Sequence, residues 1–224
     1  MEASPGRPHV SFFEGATPEL REAINRAAVR LTLAPGATLF TQGDAADAFY
    51  ILDAGEIEIS VLSQGGRKLS LEIMTPGEIF GEIGLFAGKR TASATAIGAV
   101  RLRRVGRSDF LAAIRAEPEL ALQIIDLLCL RLRTTVAMLE ERSFLPLPTR
   151  LASRLLHLEG KFGSAEGVIP VSQAELADFA GATREAVAKT LAAWRLRGWV
   201  APSRGAVQIL DRPALAELAA SADE

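Results

Sequence analysis

The turn pairs Pro35-Gly36, Gly43-Asp44, Ala54-Gly55, Gly65-Gly66 and Pro76-Gly77 cut the chain between about residues 31 and 107 into short β-like runs. The clearest run is Glu56-Ile57-Glu58-Ile59-Ser60-Val61, whose apolar and polar residues alternate as in a half-buried strand. Many short strands at regular spacing predict a small β-barrel or jelly roll. Gly43, Gly55 and Gly77 suit turns that need positive φ.

Composition narrows the function classes. The chain has 224 residues, 49% of them hydrophobic, enough for one large domain or two small ones. Its net charge of −2 argues against a globally basic nucleic-acid binder, so any DNA contact must come from a local patch. A single cysteine, Cys129, excludes an intrachain disulfide and an iron–sulfur cluster held by one chain, and fits a reducing cytoplasm. Cys129 itself reads as a buried small hydrophobe. His9 and His157 are far apart and lack metal-site spacing, and His157 reads as an exposed helix residue. Met1 to Arg7 lacks the apolar core of a signal peptide, and no apolar run reaches the ~18 residues of a spanning helix. A cytoplasmic protein without a membrane partner is expected. No nucleophile–histidine–acid set, P-loop or metal spacing suggests an enzyme, metal site or prosthetic group.

Helical patterns flank the β-rich region. Residues 1–16 read as a loose arm. Thr17 is the expected N-cap of a helix with Pro18 in its first turn and Leu20, Ile24, Ala27 and Ala28 on its apolar face. A long helix is expected from Pro118 to Arg142. Ala121, Ile125, Leu128, Leu132, Thr135 and Leu139 form a heptad seam about three heptads long, with a second apolar set, Leu120, Ile124, Leu127 and Leu130, on neighbouring faces. One side can pack on the barrel and the other on a partner subunit; equally, the helix can be buried within its own domain. Phe144-Leu145-Pro146-Leu147-Pro148 breaks the helix, which sets a domain boundary between 1–145 and 146–224. Thr149 to Glu159 reads as a further helix carrying Leu151, Leu155, Leu156 and Leu158, and Gly160 to Gly167 as a turn-rich connection.

The C-terminal part carries a two-helix pattern. Ser172 and Glu175 make a capping box for the first helix, Gly181-Ala182 a short turn, and Thr183 the cap of a second helix through Trp194. On that helix Val187, Leu191 and Trp194 can point inward, leaving Arg184, Glu185 and Lys189 outward near its start, where a recognition helix meets base edges. Arginine and lysine suit guanine, and glutamate suits the amino group of cytosine. Arg195 and Arg197 can meet phosphates. Trp199-Val200, the turn Pro202-Ser203-Arg204-Gly205 and Val207 to Leu210 read as a two-stranded wing with Arg204 at its tip. The competing reading is a plain helical hairpin with a solvated charged face.

The segment Phe80-Gly81-Glu82-Ile83-Gly84-Leu85-Phe86-Ala87-Gly88-Lys89-Arg90-Thr91-Ala92 brings glycines, a carboxylate and an arginine together. A cyclic nucleotide needs such groups: backbone N–H donors and a guanidinium fork for its phosphate, and a carboxylate acceptor for its ribose hydroxyl. Alternatively, Glu82 is a structural carboxylate with Arg90 as its salt-bridge partner.

From about residue 20 to 212 the chain resembles the CRP/FNR family of bacterial transcription regulators. The resemblance rests on Leu33-Ala34-Pro35-Gly36, Gln42-Gly43-Asp44, Phe49-Tyr50-Ile51-Leu52, Gly55-Glu56-Ile57, Phe80-Gly81-Glu82 and Thr183-Arg184-Glu185-Ala186-Val187, all in order. It implies an α+β protein: an N-terminal cyclic-nucleotide-binding-type β-barrel (jelly roll), a long dimerisation helix and a C-terminal winged helix-turn-helix. It further implies a homodimer on a two-fold symmetric operator, RNA polymerase as a partner, and a barrel ligand that repositions the long helix and the DNA-binding domains. In members that bind cyclic AMP, Gly81 and Ile83 correspond to backbone donors to phosphate and Glu82 to the ribose-binding carboxylate. Arg90 corresponds to the phosphate-binding arginine, Thr91 to the small polar residue beside it, and Thr135 to a threonine that contacts adenine. A threonine in a heptad seam also serves as a register-setting polar residue. Arg184, Glu185, Lys189, Thr183 and Arg204 are the expected DNA-binding residues.

The leading expectation is therefore a DNA-binding regulator gated by a cyclic nucleotide, cyclic AMP foremost. The alternatives are the same regulator with a barrel that senses another ligand or none, and a nucleotide-binding subunit that controls an enzyme without touching DNA.

Overall fold

The computed structural model describes residues 18–162, 164 and 166–221. The expected arm, with His9, and the Thr17 cap lie outside the described residues. Two compact units emerge, Met1–Arg67 with Leu71–Thr134, and Lys68–Ser70 with Thr135–Glu224. No described helix is long and apolar enough to cross a membrane.

The first unit is a two-sheet β-fold flanked by helices. Helix α1 (Pro18–Ala27) leads into β1 (Val29–Leu33), β2 (Thr38–Phe40), β3 (Ala48–Ala54), β4 (Ile57–Leu62), β5 (Lys68–Met74) and β6 (Ile79–Phe80). A short helix α2 (Glu82–Ala87) precedes β7 (Ser93–Ala96) and β8 (Val100–Gly106), and α3 (Arg107–Ala116) leads into the long helix α4 (Glu119–Phe144). The strands form two antiparallel sheets, ordered β1-β8-β3-β6 and β2-β7-β4-β5.

Strand β3 is buried from Ala48 through Leu52 because both of its faces are covered. Tyr50 and Leu52 meet Ile57, Met74, Ala94 and Ala96 of the facing sheet in one core. Phe49 and Ile51 point the other way, into a second core with Ile24, Phe110, Leu120, Ile124 and Leu127 from the helices. Period-2 side-chain direction thus explains one strand serving two cores. In β4 the expected half-buried pattern is exceeded: Glu58 and Ser60 are buried as well as Ile57. The turn at 41–44 is tied to this sheet, with Gln42 N–H donating to Ser93 Oγ at 2.9 Å and Leu62 N–H to Gln42 Oε1 at 3.2 Å.

Helix α4 partly corrects the expected seam. Leu120, Ile124 and Leu127 are buried and Leu128 packs beside them, so Leu128 belongs to the core face. The exposed apolar row is Leu122, Ile125, Leu132, Val136 and Leu139, with Ile125 53% and Leu132 and Leu139 each 64% accessible. Cys129 falls within this row and is exposed, not buried as expected. Apolar residues occur at so many positions here that several heptad columns fit; the core claims one of them.

In the second unit, α5 (Leu147–Phe162) begins earlier than expected. The long helix does end at Phe144, as the Phe144–Pro148 segment predicts, and Pro148 lies in the first turn of α5, where no N–H is needed. His157 on α5 is half-buried rather than exposed. Strand β9 (Val168–Ile169) precedes α6 (Gln173–Ala180), α7 (Arg184–Leu196), β10 (Val200–Ser203), β11 (Ala206–Ile209) and α8 (Arg212–Ala220). The small sheet runs β10-β11-β9, so the wing has a third strand too short to show a period. Helix α8, unexpected from the sequence, starts at Asp211, whose carboxylate accepts from Ala214 N–H at 3.0 Å.

Candidate functional site

The chain leaves β6 and enters α2 through Gly81, whose φ of 80° lies in the left-handed region. A Cβ at Gly81 would stand 2.8 Å from Arg90 Nη1 and 3.4 Å from Tyr50 Cδ2, so the missing side chain makes room for the arginine. The Arg90 backbone is fixed to the 43–44 turn, its N–H donating to Asp44 O at 2.8 Å and its carbonyl accepting from Gly43 N–H at 2.9 Å. Its side chain donates from Nη1 to Gly81 O at 3.0 Å. The guanidinium carbon lies 4.2 Å from the centre of the Phe40 ring and 5.3 Å from that of Tyr50. Tyr50 in turn stacks on Phe80 at 5.5 Å.

Arg90 is only 4% accessible, and its Nε has no hydrogen-bond partner among the described residues. Burial pushes its pKa down from the ordinary arginine value; Tyr50, Asp47 and Asp44 push the other way, and Arg104 adds to the lowering. A buried cation with an unsatisfied donor can hold an anion.

Glu82, 2% accessible, opens α2. Burial raises its carboxyl pKa above 4.5, opposed first by the charge of Arg131, then by its own backbone N–H and Arg90. Arg131 Nε lies 3.7 Å from Glu82 Oε1, and Arg131 Nη2 donates to Ile79 O at 3.1 Å. This corrects the alternative pairing expected from the sequence: the ion-pair partner of Glu82 is Arg131, while Arg90 serves the Gly81 carbonyl. Ile83 is half-buried and Thr91 exposed. Gly81, Glu82, Ile83 and Arg90 thus share one neighbourhood, with Thr91 next in chain. Thr135 is an exposed residue of α4 in the second unit.

Phe40, Tyr50 and Arg131 were missed by sequence reasoning. Each belongs to a different element, and nothing local marks an aromatic ring as the wall of a guanidinium site.

In the second unit the expected caps form. Ser172 Oγ accepts from Glu175 N–H at 3.2 Å while Ser172 N–H donates to Glu175 Oε2 at 2.7 Å. Thr183 Oγ1 accepts from Ala186 N–H at 3.2 Å and starts α7. Val187, Leu191 and Trp194 are buried, which turns Arg184, Glu185 and Lys189 to the exposed face. Hydrogen bonds from its own backbone N–H and the Thr183 side chain hold the Glu185 carboxyl below 4.5. Arg184 and Arg204 line one concavity of about 280 Å³ together with Ser172, Gln173, Ala174, Ser203 and Gly205. Two guanidinium groups beside the start of α6 can hold a backbone phosphate. Gln173 and Ser203 join this surface without having been singled out by the sequence. Arg197 lies over the Trp199 ring at 5.0 Å, and Arg195 is exposed.

Comparison with known proteins agrees with both halves. Residues 30–117 match the cyclic nucleotide-binding domain family and residues 149–218 the Crp-like helix-turn-helix domain family. A CRP-like cAMP-activated global transcriptional regulator from Mycobacterium tuberculosis is 35% identical over 214 residues, covering 93% of this chain and 96% of that protein. A cyclic AMP receptor protein from Thermus thermophilus is 34% identical over 212 residues, covering 93% and 96%. The crystal structure of the Thermus thermophilus catabolite activator protein, 32% identical, superposes with a TM-score of 0.56 over 94% of this chain and 99% of that one.

Proposed function

We propose, for a chain that belongs to the CRP/FNR family of DNA-binding transcription regulators, that its effector is cyclic AMP and that it acts as a cytoplasmic homodimer. Residues 1–145 form the effector-sensing part and 146–224 the DNA-binding part. The chain is a regulator and not an enzyme.

The observation that carries the effector reading is Arg90, nearly inaccessible yet with Nε unpartnered. Its fork takes the cyclic phosphate together with the N–H groups of Gly81 and Ile83, with Thr91 beside it. Glu82 accepts from the ribose hydroxyl, and Arg131 supplies the counter-charge that favours its ionised form. Thr135 meets the adenine. The exposed row Leu122, Ile125, Leu132, Val136 and Leu139 packs against its copy in a partner subunit, which supports the dimer reading. Two subunits present two α7 helices to a two-fold symmetric operator, where Arg184, Glu185 and Lys189 read bases and Thr183 and Arg204 hold backbone. Nucleotide binding shifts the population toward the DNA-competent arrangement, which then engages RNA polymerase.

Calorimetric titration with cyclic AMP, and with cyclic GMP for comparison, tests this. Micromolar binding of cyclic AMP at one site per chain is expected. No heat with either nucleotide at several temperatures would instead support a regulator of the same fold with another input.

A further inference from the structure

The last turns of α4 belong to the same compact unit as α5 to α8. Glu141 Oε2 lies 2.6 Å from Arg154 Nη2 on α5, and Arg150 Nη1 donates to Leu145 O at 2.7 Å. Arg142, between these ties, reaches the helix-turn-helix itself. A Cβ at Gly181 would collide with Arg142 Nη2 and would stand 2.8 Å from its Cζ and 3.3 Å from Nη1. The guanidinium therefore fills the volume that any side chain at 181 would take.

Gly181 is the left-handed C-cap of α6, with φ of 60°, and two residues later Thr183 caps α7. A planar, weakly hydrated guanidinium suits packing on a bare peptide turn. Its charge also meets the negative end of α6. One contact thus joins the end of the long helix to the turn that aims α7.

We propose that Arg142 is a positioning residue for sequence-specific DNA binding: seated on the Gly181 turn, it sets α7 relative to the end of α4. The inference rests on the assignment of α6 and α7 to DNA and is independent of which effector the barrel takes.

The test starts by selecting a palindromic operator from random-sequence DNA with the wild-type chain, with and without saturating cyclic AMP, and keeps the condition that selects. Fluorescence anisotropy then gives affinities of wild type, Arg142→Ala, Gly181→Ala and the double variant for that operator and for an unrelated duplex, at one salt concentration. Melting temperatures are recorded alongside. Each single variant is expected to bind the operator about tenfold more weakly, within the usual range of coupling between sites. The unrelated duplex, held through phosphates, should change by less than about twofold. The double variant should match the weaker single variant within about twofold, because both changes remove the same contact. Gly181→Ala also strains a left-handed position; should it fail to fold, Arg142→Ala and Arg142→Gln carry the test.

Unchanged operator affinity in Arg142→Ala would overturn the proposal. So would equal losses on both duplexes, which would make Arg142 a phosphate contact, or a loss that follows a lowered melting temperature. If the wild-type chain selects no operator with or without cyclic AMP, the DNA-binding reading fails and this inference fails with it.

Discussion

Arg90 donates from Nη1 to the Gly81 carbonyl oxygen at 3.0 Å, while its buried Nε has no hydrogen-bond partner among the described residues. One arm of the fork fixes the guanidinium, and the other is left for a ligand. Burial opposes the Arg90 charge, and a bound anion would offset that cost.

Arg90→Met keeps most of the stem and removes the charge. Two charge-assisted bonds of about 1.5–3 kcal/mol each are lost, so cyclic AMP binding should weaken about 100-fold or more. The ligand-free chain should lose less than about 1 kcal/mol, because a costly buried charge goes with the contact. Calorimetry and thermal melts read the two quantities, and unchanged nucleotide affinity would refute the phosphate role.

Burial shifts the Glu82 carboxyl upward from the ordinary glutamate value. Its folded pKa lies above 4.5, so between 4.5 and the folded value the native chain holds a proton that the unfolded chain has released. Stability is full below this window and falls as pH rises through it. Glu82→Gln removes the titration. Its melting temperature should gain on wild type as pH rises from about 4.5 and then run parallel. A gap that does not change with pH would mean that the Glu82 carboxyl is not raised.

Leu132 and Leu139 are each 64% accessible on a single chain, so charged substitutions there should barely affect its fold. At a helix–helix seam the same changes bury charge. Leu132→Glu and Leu139→Glu should convert a dimer to a monomer in analytical ultracentrifugation. Cys129 shares the row, so diamide should join wild-type chains through it and should not join the Leu132→Glu chains. A wild-type chain that sediments as a monomer would exclude the seam.

Glu185 and Arg204 should fail differently. Glu185→Ala should relax discrimination at one base pair per half-site by about 5- to 100-fold. Arg204→Ala should weaken all DNA alike and reduce the slope of log affinity against log salt by about one. Selection from a randomised operator and a salt titration separate them. A base preference unchanged in Glu185→Ala would remove it from the reading face.

How much was legible depended on the range of the interaction. The capping box Ser172–Glu175, the Thr183 cap and the buried face Val187, Leu191, Trp194 are spaced within one or two helical turns, so sequence spacing alone located them. Helices α2 and α3 escaped because α2 has only six residues and neither has a side-chain N-cap. Helix α8 carries a readable local signal, Asp211 at its cap followed by Pro213 in its first turn. The seam of α4 was half legible. Ile125, Leu132 and Leu139 lie on its exposed row, but only the core formed with Phe49 and Phe110 decides that Leu128 faces inward.

From sequence alone came the order of the parts, the β-rich first half, the helix-turn-helix with its wing, and the cluster Gly81, Glu82 and Arg90. Turns, caps and short-range periodicity are written in neighbouring residues, and local backbone preference suffices to read them. Tertiary structure decided which partner each charge takes. Arg90 meets Phe40 and Tyr50 only because two sheets stack, Glu82 meets Arg131 only because α4 packs on the β-fold, and Arg142 meets Gly181 only because α4 ends against α6. The partners in those pairs lie about forty to fifty residues apart in sequence, and nothing but burial of the surfaces between them brings such distant groups together.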